Sequence, residues 1–190
     1  NRLFRRTLLV HSGLSINRNV QPETVKDLYI ASDVKPNIQD PDVRTPGTLV
    51  EFKTPAGAII SATSPITKAA LMTLHELSPK PLHFEQLRRL ARKRLSGSKP
   101  SNRETTEQDA HELASNFLSA YASNAITLFP AGLPIPSEIP NRPRVTEYVR
   151  YQASIRGSIT SAFHARIGVD EFGFRLLAKL DGTRDRSNLI

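Results

Sequence analysis

Residues 49–77, LVEFKTPAGAIISATSPITKAALMTLHEL, set two different periodicities back to back. Over 49–53 the side chains alternate, Val50 and Phe52 against Leu49, Glu51 and Lys53, which is the period of a strand with one buried face. Residues 58–63 repeat the alternation beyond Pro55, Ala56 and Gly57, so the first half of the stretch reads as a β-hairpin. From Ser64 the period lengthens, and Ile66, Ala70, Leu74 and Leu77 fall on one face of a helix. Ser64 stands at the cap position, Pro65 in the first turn, and Pro79 and Pro81 end the element.

Downstream, residues 84–95 form a second helix with Phe84, Leu87, Leu90 and Ala91 inward, and Gly97 stands just past its end. Thr105 and Gln108 make a capping box for a third helix, striped by Ala110, Leu113, Ala114, Phe117, Leu118 and Tyr121. A short strand, 125–129, follows. Helix, short connection, helix, helix and strand, with a hairpin nearby, are the ingredients of a winged-helix domain. The fold class is therefore α+β, mainly helical with short strands and a β-hairpin, with a winged-helix-like central part.

Upstream, residues 4–10 read as a strand, Pro22 opens a short helix carrying Val25 and Leu28, and the apolar run 28–34 is expected to pair with the first strand. Residues 37–48 hold two prolines and two aspartates without apolar periodicity, which places a linker there and divides the chain into 1–45 and 46–190. Beyond the third helix, residues 130–143 hold five prolines. A helix over 145–155 presents Val145, Tyr148, Val149 and Gln152 on one side, and 159–167 makes one or two short strands. Asp170 caps a helix that buries Phe172, Leu176, Leu177 and Leu180. Asp181 and Gly182 end that helix, and Asp185 caps one more.

Composition excludes several classes. Among 190 residues there is no cysteine, so disulfides, thiolate metal sites and a cysteine nucleophile are ruled out, which fits a reducing, cytoplasmic setting. No apolar run reaches the roughly 18 residues of a membrane-spanning helix. The apolar run near the start is too short for a signal peptide, and without an initiator methionine the chain is expected to be a fragment or a processed product. All nine glycines are isolated, so neither a dinucleotide fingerprint nor a glycine-rich phosphate or methyl-donor loop is present. His75-Glu76 and His111-Glu112 begin like a zinc-protease helix, but Pro79 and Ser115 stand where the second histidine belongs. No G-x-S-x-G surrounds a serine. The acidic pairs Asp40 with Asp42, Asp170 with Glu171, and Asp181 with Asp185 read as loop and cap residues. No catalytic residue and no metal site is assigned.

Four segments carry a family resemblance: FRRTLLVH at 4–11, the hairpin 52–63 with its T-P-x-G turn, RPRVTEYVRYQA at 142–153, and LAKLDGTRDR at 177–186. The first resembles a strand of the predicted methyltransferase regulatory domain family. The others are similar to the C-terminal region of the same multidomain proteins, which resemble bacterial protein lysine methyltransferases. The resemblance implies that 1–45 is part of a regulatory or middle domain and 46–190 a C-terminal winged-helix-like domain. It implies a non-catalytic role, regulatory or substrate-binding, with S-adenosylmethionine bound only by a catalytic domain outside this chain. The implied partners are a protein substrate or that catalytic domain, and self-association into a homodimer stays open.

Two surfaces compete for the functional reading. Arg142, Arg144 and Arg150 border a proline-rich loop beside Tyr148 and Tyr151, and arginine with tyrosine is the mixture favoured at protein interfaces. The chain has a net charge of +8, and its main basic cluster, seven residues between Arg88 and Arg103 that include Arg89, Arg92 and Lys93, offers a nucleic-acid alternative. That helix offers little beyond Gln86 for reading base edges, and the third helix opens with Glu104, Glu107, Asp109 and Glu112, which repel phosphate. Protein contact is therefore the favoured reading, and nucleic acid the disfavoured one.

Overall fold

The computed structural model describes residues 9–16, 18–96, 103–133, 135–136 and 138–189, and the side chains of 103–106 lie outside the description. The chain divides into two compact units, Asn1–Ala131 and Gly132–Ile190. The division falls in the proline-rich stretch and not near residue 45, where composition alone placed a boundary.

In the first unit, a 3-10 turn, Pro22–Asp27, precedes β1 (Tyr29–Ala31) and β2 (Lys35–Pro36). The hairpin follows as β3 (Val50–Lys53) and β4 (Ile59–Ala62), with Val50 opposite Ala62 and Lys53 opposite Ile59. Its burial alternates as expected: Val50 and Phe52 are in the core while Glu51 and Lys53 are exposed. At the tip, Thr54 N donates to Ala58 O at 2.8 Å, and Gly57 takes φ +92°, a left-handed value that a side chain disfavours.

Helix α1 (Pro65–Leu77), strand β5 (Leu82–His83), helices α2 (Phe84–Ser96) and α3 (Arg103–Ala122), and strand β6 (Thr127–Phe129) complete the unit. The winged-helix-like order is present, with β5 inside what read as a plain connection. Ser64 has the extended backbone of a cap, but its hydroxyl makes no capping bond and is enclosed without a partner. Helix α3 begins at Arg103, two residues before Thr105, so the expected capping box with Gln108 falls inside its first turns; Gly97 and the Thr105 side chain lie outside the described residues.

Strand β1 does not pair with the first apolar stretch. It lies between β5 and β6, antiparallel to both, with Tyr29 opposite His83 and Phe129. Leu9 and Val10 are exposed coil, and the remainder of 4–10 lies outside the described residues. A strand preceding the helices thus supplies the centre of the small sheet. Phe52, Phe84 and Phe117, with Ile30, Leu71, Leu74, Leu82, Leu87 and Leu113, fill the core. Burying a side chain of this size stabilises by roughly 1.5–3 kcal/mol relative to exposure. Leu77 and Tyr121, at the ends of their stripes, are partly exposed, because the helices outrun the core there.

The segment 37–48 is docked and does not act as a linker. Asn37 N donates to Glu51 O at 2.9 Å, extending the β2–β3 pairing. Asp42 accepts from the amides of Arg44 (2.9 Å) and Thr45 (3.1 Å), and the Thr45 hydroxyl first, then these amides, hold its carboxyl down at about 2. Lys68 of α1 is fully buried, and its Nζ donates to the carbonyls of Thr45 (2.7 Å) and Thr48 (3.1 Å). A buried ammonium must find acceptors, and these are supplied by the loop.

In the second unit, α4 (Glu147–Ser154) is followed by the hairpin β7 (Ile159–Thr160) and β8 (Arg166–Ile167), then by α5 (Glu171–Lys179) and a 3-10 turn, Arg186–Asn188. Replacing Lys68 by Met keeps the length and removes the donor. We expect Lys68→Met to lower stability by about 1–3 kcal/mol in urea unfolding and to speed amide exchange over 42–48. An unchanged midpoint would show that the loop does not depend on this residue.

Candidate functional site

The second unit is built by side chains that close local backbone ends. The Thr146 hydroxyl accepts from Val149 N (3.3 Å) to cap α4, and the Asp170 carboxylate accepts from Gly173 N (2.7 Å) to cap α5. Gln152, buried on the inner side of α4, donates from Nε2 to the Thr160 hydroxyl and accepts from Thr160 N, both at 3.1 Å. This paired contact fixes the rotation of α4 against β7. The flank beside Gln152 is left open: Tyr148 is 62% exposed, Tyr151 59% and Ile155 58%. Those three positions recur at helical spacing.

At the end of α4, Arg156 donates to both oxygens of Glu171 (2.9 and 2.6 Å), and Arg175 adds a third bond at 3.1 Å. Hydrogen bonds from Arg156 first, and then from Arg175, hold the Glu171 carboxyl down at about 2. The clamp joins the residues next to Ile155 and Phe172. Phe172 is 60% exposed, which corrects the expectation that α5 buries it; no residue of α5 is fully buried, and Leu176 and Leu177 are only half-buried.

The tail is a clasp. Gly182 takes φ +85°, a left-handed value that calls for glycine, and a Cβ there would lie in ordinary contact with the Arg144 side chain at 3.4 Å. The backbone of Arg144 forms an isolated antiparallel β-bridge with that of Asp181, and Val145 N donates to Leu180 O at 3.0 Å. Asp181 accepts from the Thr183 hydroxyl (2.6 Å), Thr183 N (2.9 Å) and Arg184 (2.9 Å), with its carboxyl held at about 2 by Thr183 above all. Asp185 accepts from Asn188 N at 3.1 Å, capping the last turn as expected, and Arg186 donates to Ile139 O.

The expected partner-binding residues therefore separate. Tyr148 and Tyr151 share the open flank, and Arg142 is exposed. Arg144 also serves the clasp, with its stem laid over Gly182. Arg150 is half-buried, its Nε enclosed without a partner and its Nη2 3.8 Å from Glu147. Ile155 and Phe172 extend the exposed apolar surface of the unit and were not anticipated, because apolar periodicity marks a face without saying whether anything covers it.

The nucleic-acid alternative fares differently. Arg88 is bound to Glu85 through Nε (3.0 Å) and Nη2 (2.6 Å), Arg92 meets Asp109 of α3 at 3.2 Å, and Arg94 pairs with Glu76 of α1. Burial pushes the Asp109 carboxyl above its ordinary value, against the pull of Arg92. Arg89 and Lys93, one turn apart, are exposed. Three arginines of the cluster are thus engaged in ion pairs, and two of these pairs join helices. No group of histidine and carboxylate side chains able to hold a metal occurs among the described residues, and no described helix is long and apolar enough to cross a membrane.

The Glu171 clamp predicts a definite acid response. A carboxyl held low stabilises the fold fully above its unfolded value of about 4.3, and that contribution is lost as pH falls through about 2. Titration of the Glu171 side chain by NMR should give a midpoint near 2, moving toward about 4 in Arg156→Ala. An ordinary midpoint in the unaltered chain would refute the clamp.

Comparison with known proteins agrees with this architecture. Residues 141–190, which hold α4, the hairpin, α5 and the clasp, match the family described as PKMT, C-terminal winged helix domain. The uncharacterized protein RP789 of Rickettsia prowazekii (strain Madrid E) is 29% identical over all of this chain, which spans 34% of its length. RP027 of the same organism is 26% identical over 97% of the chain, which spans 76% of that protein. Two structures of PKMT2 from Rickettsia typhi share the fold: one in complex with AdoHcy (TM-score 0.73, 24% identity) and a second (TM-score 0.75, 23% identity). Each is covered over 94% of this chain, which in turn spans 35% and 36% of theirs. The motifs at 142–153 and 177–186 both lie inside the matched residues, so over 141–190 the chain is similar to the PKMT C-terminal winged helix domain.

Proposed function

We propose that this chain is a non-catalytic, regulatory and substrate-binding region of a S-adenosylmethionine-dependent protein methyltransferase. The observation that carries the reading is the coincidence, within 141–190, of the family match and an exposed Tyr148–Tyr151–Ile155 flank, with Arg142 exposed in the same unit. Tyrosine buries a large rigid surface at small entropic cost and keeps a polar tip, so two tyrosines one turn apart suit a protein contact. The isolated glycines support a methyl-donor site carried elsewhere. The related chains leave room for one: this chain spans about a third of RP789 and of PKMT2, and PKMT2 is described with AdoHcy, the remnant of S-adenosylmethionine after methyl transfer. In RP027 the same region makes up most of the polypeptide, which favours a module with a role of its own.

The partner is accordingly a protein, either the substrate or the domain that carries the methyl donor. Among the described residues of the cluster, a nucleic acid would bind through Arg89 and Lys93 while the neighbouring guanidinium groups serve ion pairs, which gives it a weaker grip on phosphate.

Calorimetry should detect no saturable binding of S-adenosylmethionine to this chain, and Tyr148→Ala with Tyr151→Ala should weaken binding of the protein partner at least about tenfold while the melting temperature stays unchanged. Saturable cofactor binding would overturn the non-catalytic reading. Micromolar DNA binding that falls steeply with salt and disappears in Arg89→Ala with Lys93→Ala would replace it with the nucleic-acid one.

A further inference from the structure

The sheet β2–β3–β4 has two unlike edges. On one side β2 ends in Pro36, which has no N–H to offer. On the other, β4 reads Ile59, Ile60, Ser61, Ala62, without a charge or a proline to protect it, and Ile59 is 53% exposed. Because Thr54 and Ala58 form a hydrogen-bonded pair, alternation makes Phe52/Ile60 and Val50/Ala62 bonded pairs as well. It therefore turns the N–H and C=O of Ile59 and Ser61 away from β3. Among the described residues these outward groups meet no partner.

A cavity of about 320 Å³ runs along this edge. Its far wall is one face of α3, made by Glu112, Asn116, Ser119, Ala120 and Ser123, and its floor includes Thr67 and Leu71 of α1. Asn116 Nδ2 donates to the Thr67 hydroxyl at 2.8 Å, which holds the wall to the floor. The α3 face rises about 16 Å between Glu112 and Ser123, the length of about five extended residues. Small hydroxyl side chains keep the groove open, and Glu112 stands at one end, exposed and without an ion-pair partner among the described residues.

We propose that this groove binds an extended peptide segment of a protein partner, which adds as a strand to β4 and places a lysine or arginine side chain against Glu112. The inference deepens the substrate-binding reading and rests on it. Backbone pairing with Ile59 and Ser61 supplies affinity that does not depend on sequence, and the carboxylate supplies the preference for a cation. With α3 as far wall, the groove suits a single strand better than the sheet edge of a second copy.

The test uses the full chain and a fluorescein-labelled nonapeptide of alternating threonine and valine with a central lysine. Controls carry glutamate at the centre or methyl groups on alternate backbone nitrogens. Polarisation should show saturable binding, at least about tenfold weaker with central glutamate and lost on backbone methylation. Glu112→Lys, on an exposed helix face, should reverse the charge preference, and Ser61→Pro should abolish binding. Hydrogen exchange should slow at the Ile59 and Ser61 amides. Protection confined to α4 would overturn the groove and leave the substrate-binding reading standing. Absence of binding to any of these peptides would overturn the groove, and absence of protection by the protein partner at both places would overturn the broader reading too. A dimer that Ser61→Pro dissolves would assign the edge to a second copy.

Discussion

Pairing of Tyr29–Ala31 with two strands that come later in the chain is the constraint on which the first unit depends. Strands β5 and β6 do not touch one another in the sheet, so without the earlier strand between them the outer strands have nothing to pair with. Ile30 is fully buried there, and the Ser32 hydroxyl donates to Ala125 O at 2.8 Å, tying the end of β1 to the approach to β6. The helices α1, α2 and α3 then pack on a sheet whose centre was laid down before them. Pairing β1 with β5 and β6 closes long loops, so these contacts carry a larger entropic cost than the local helical ones.

The same logic explains why the aspartate-rich stretch 37–48 is no boundary. Its polar residues look like a linker, yet Lys68 is buried beneath it and needs the carbonyls of Thr45 and Thr48. Breaking that contact would leave a charge without acceptors. The docked loop and the hairpin therefore belong to one body with the helices, and β4 remains its open edge.

Local patterns were the legible part. The hairpin, the three helices of the first unit, the Asp170 cap and the Asp181–Gly182 turn all follow from residues within a few positions of one another, whereas the Thr146 cap, inside what read as the helix 145–155, did not stand out. What was not legible depends on distant partners. The position of β1 in its sheet, the burial of Lys68, and the exposure of Phe172 at the head of an apolar stripe are set by what lies across from each residue. The candidate site was half legible: Tyr148 and Tyr151 are on the surface as expected, whereas Arg144 and Arg150 are partly taken up by the clasp and by α4 itself.

The tail that carried the family resemblance is thus explained structurally: the side chains of Asp181, Thr183, Arg184, Asp185 and Arg186 close turns or hold the start of the unit. That leaves an accessory role as the account's central claim. It is tested most directly by following methyl transfer from labelled S-adenosylmethionine to a protein substrate, with this chain alone and with this chain added to a separate catalytic domain. The account predicts no transfer by the chain alone and a lower KM for the substrate when it is added. Transfer by the chain alone would contradict it.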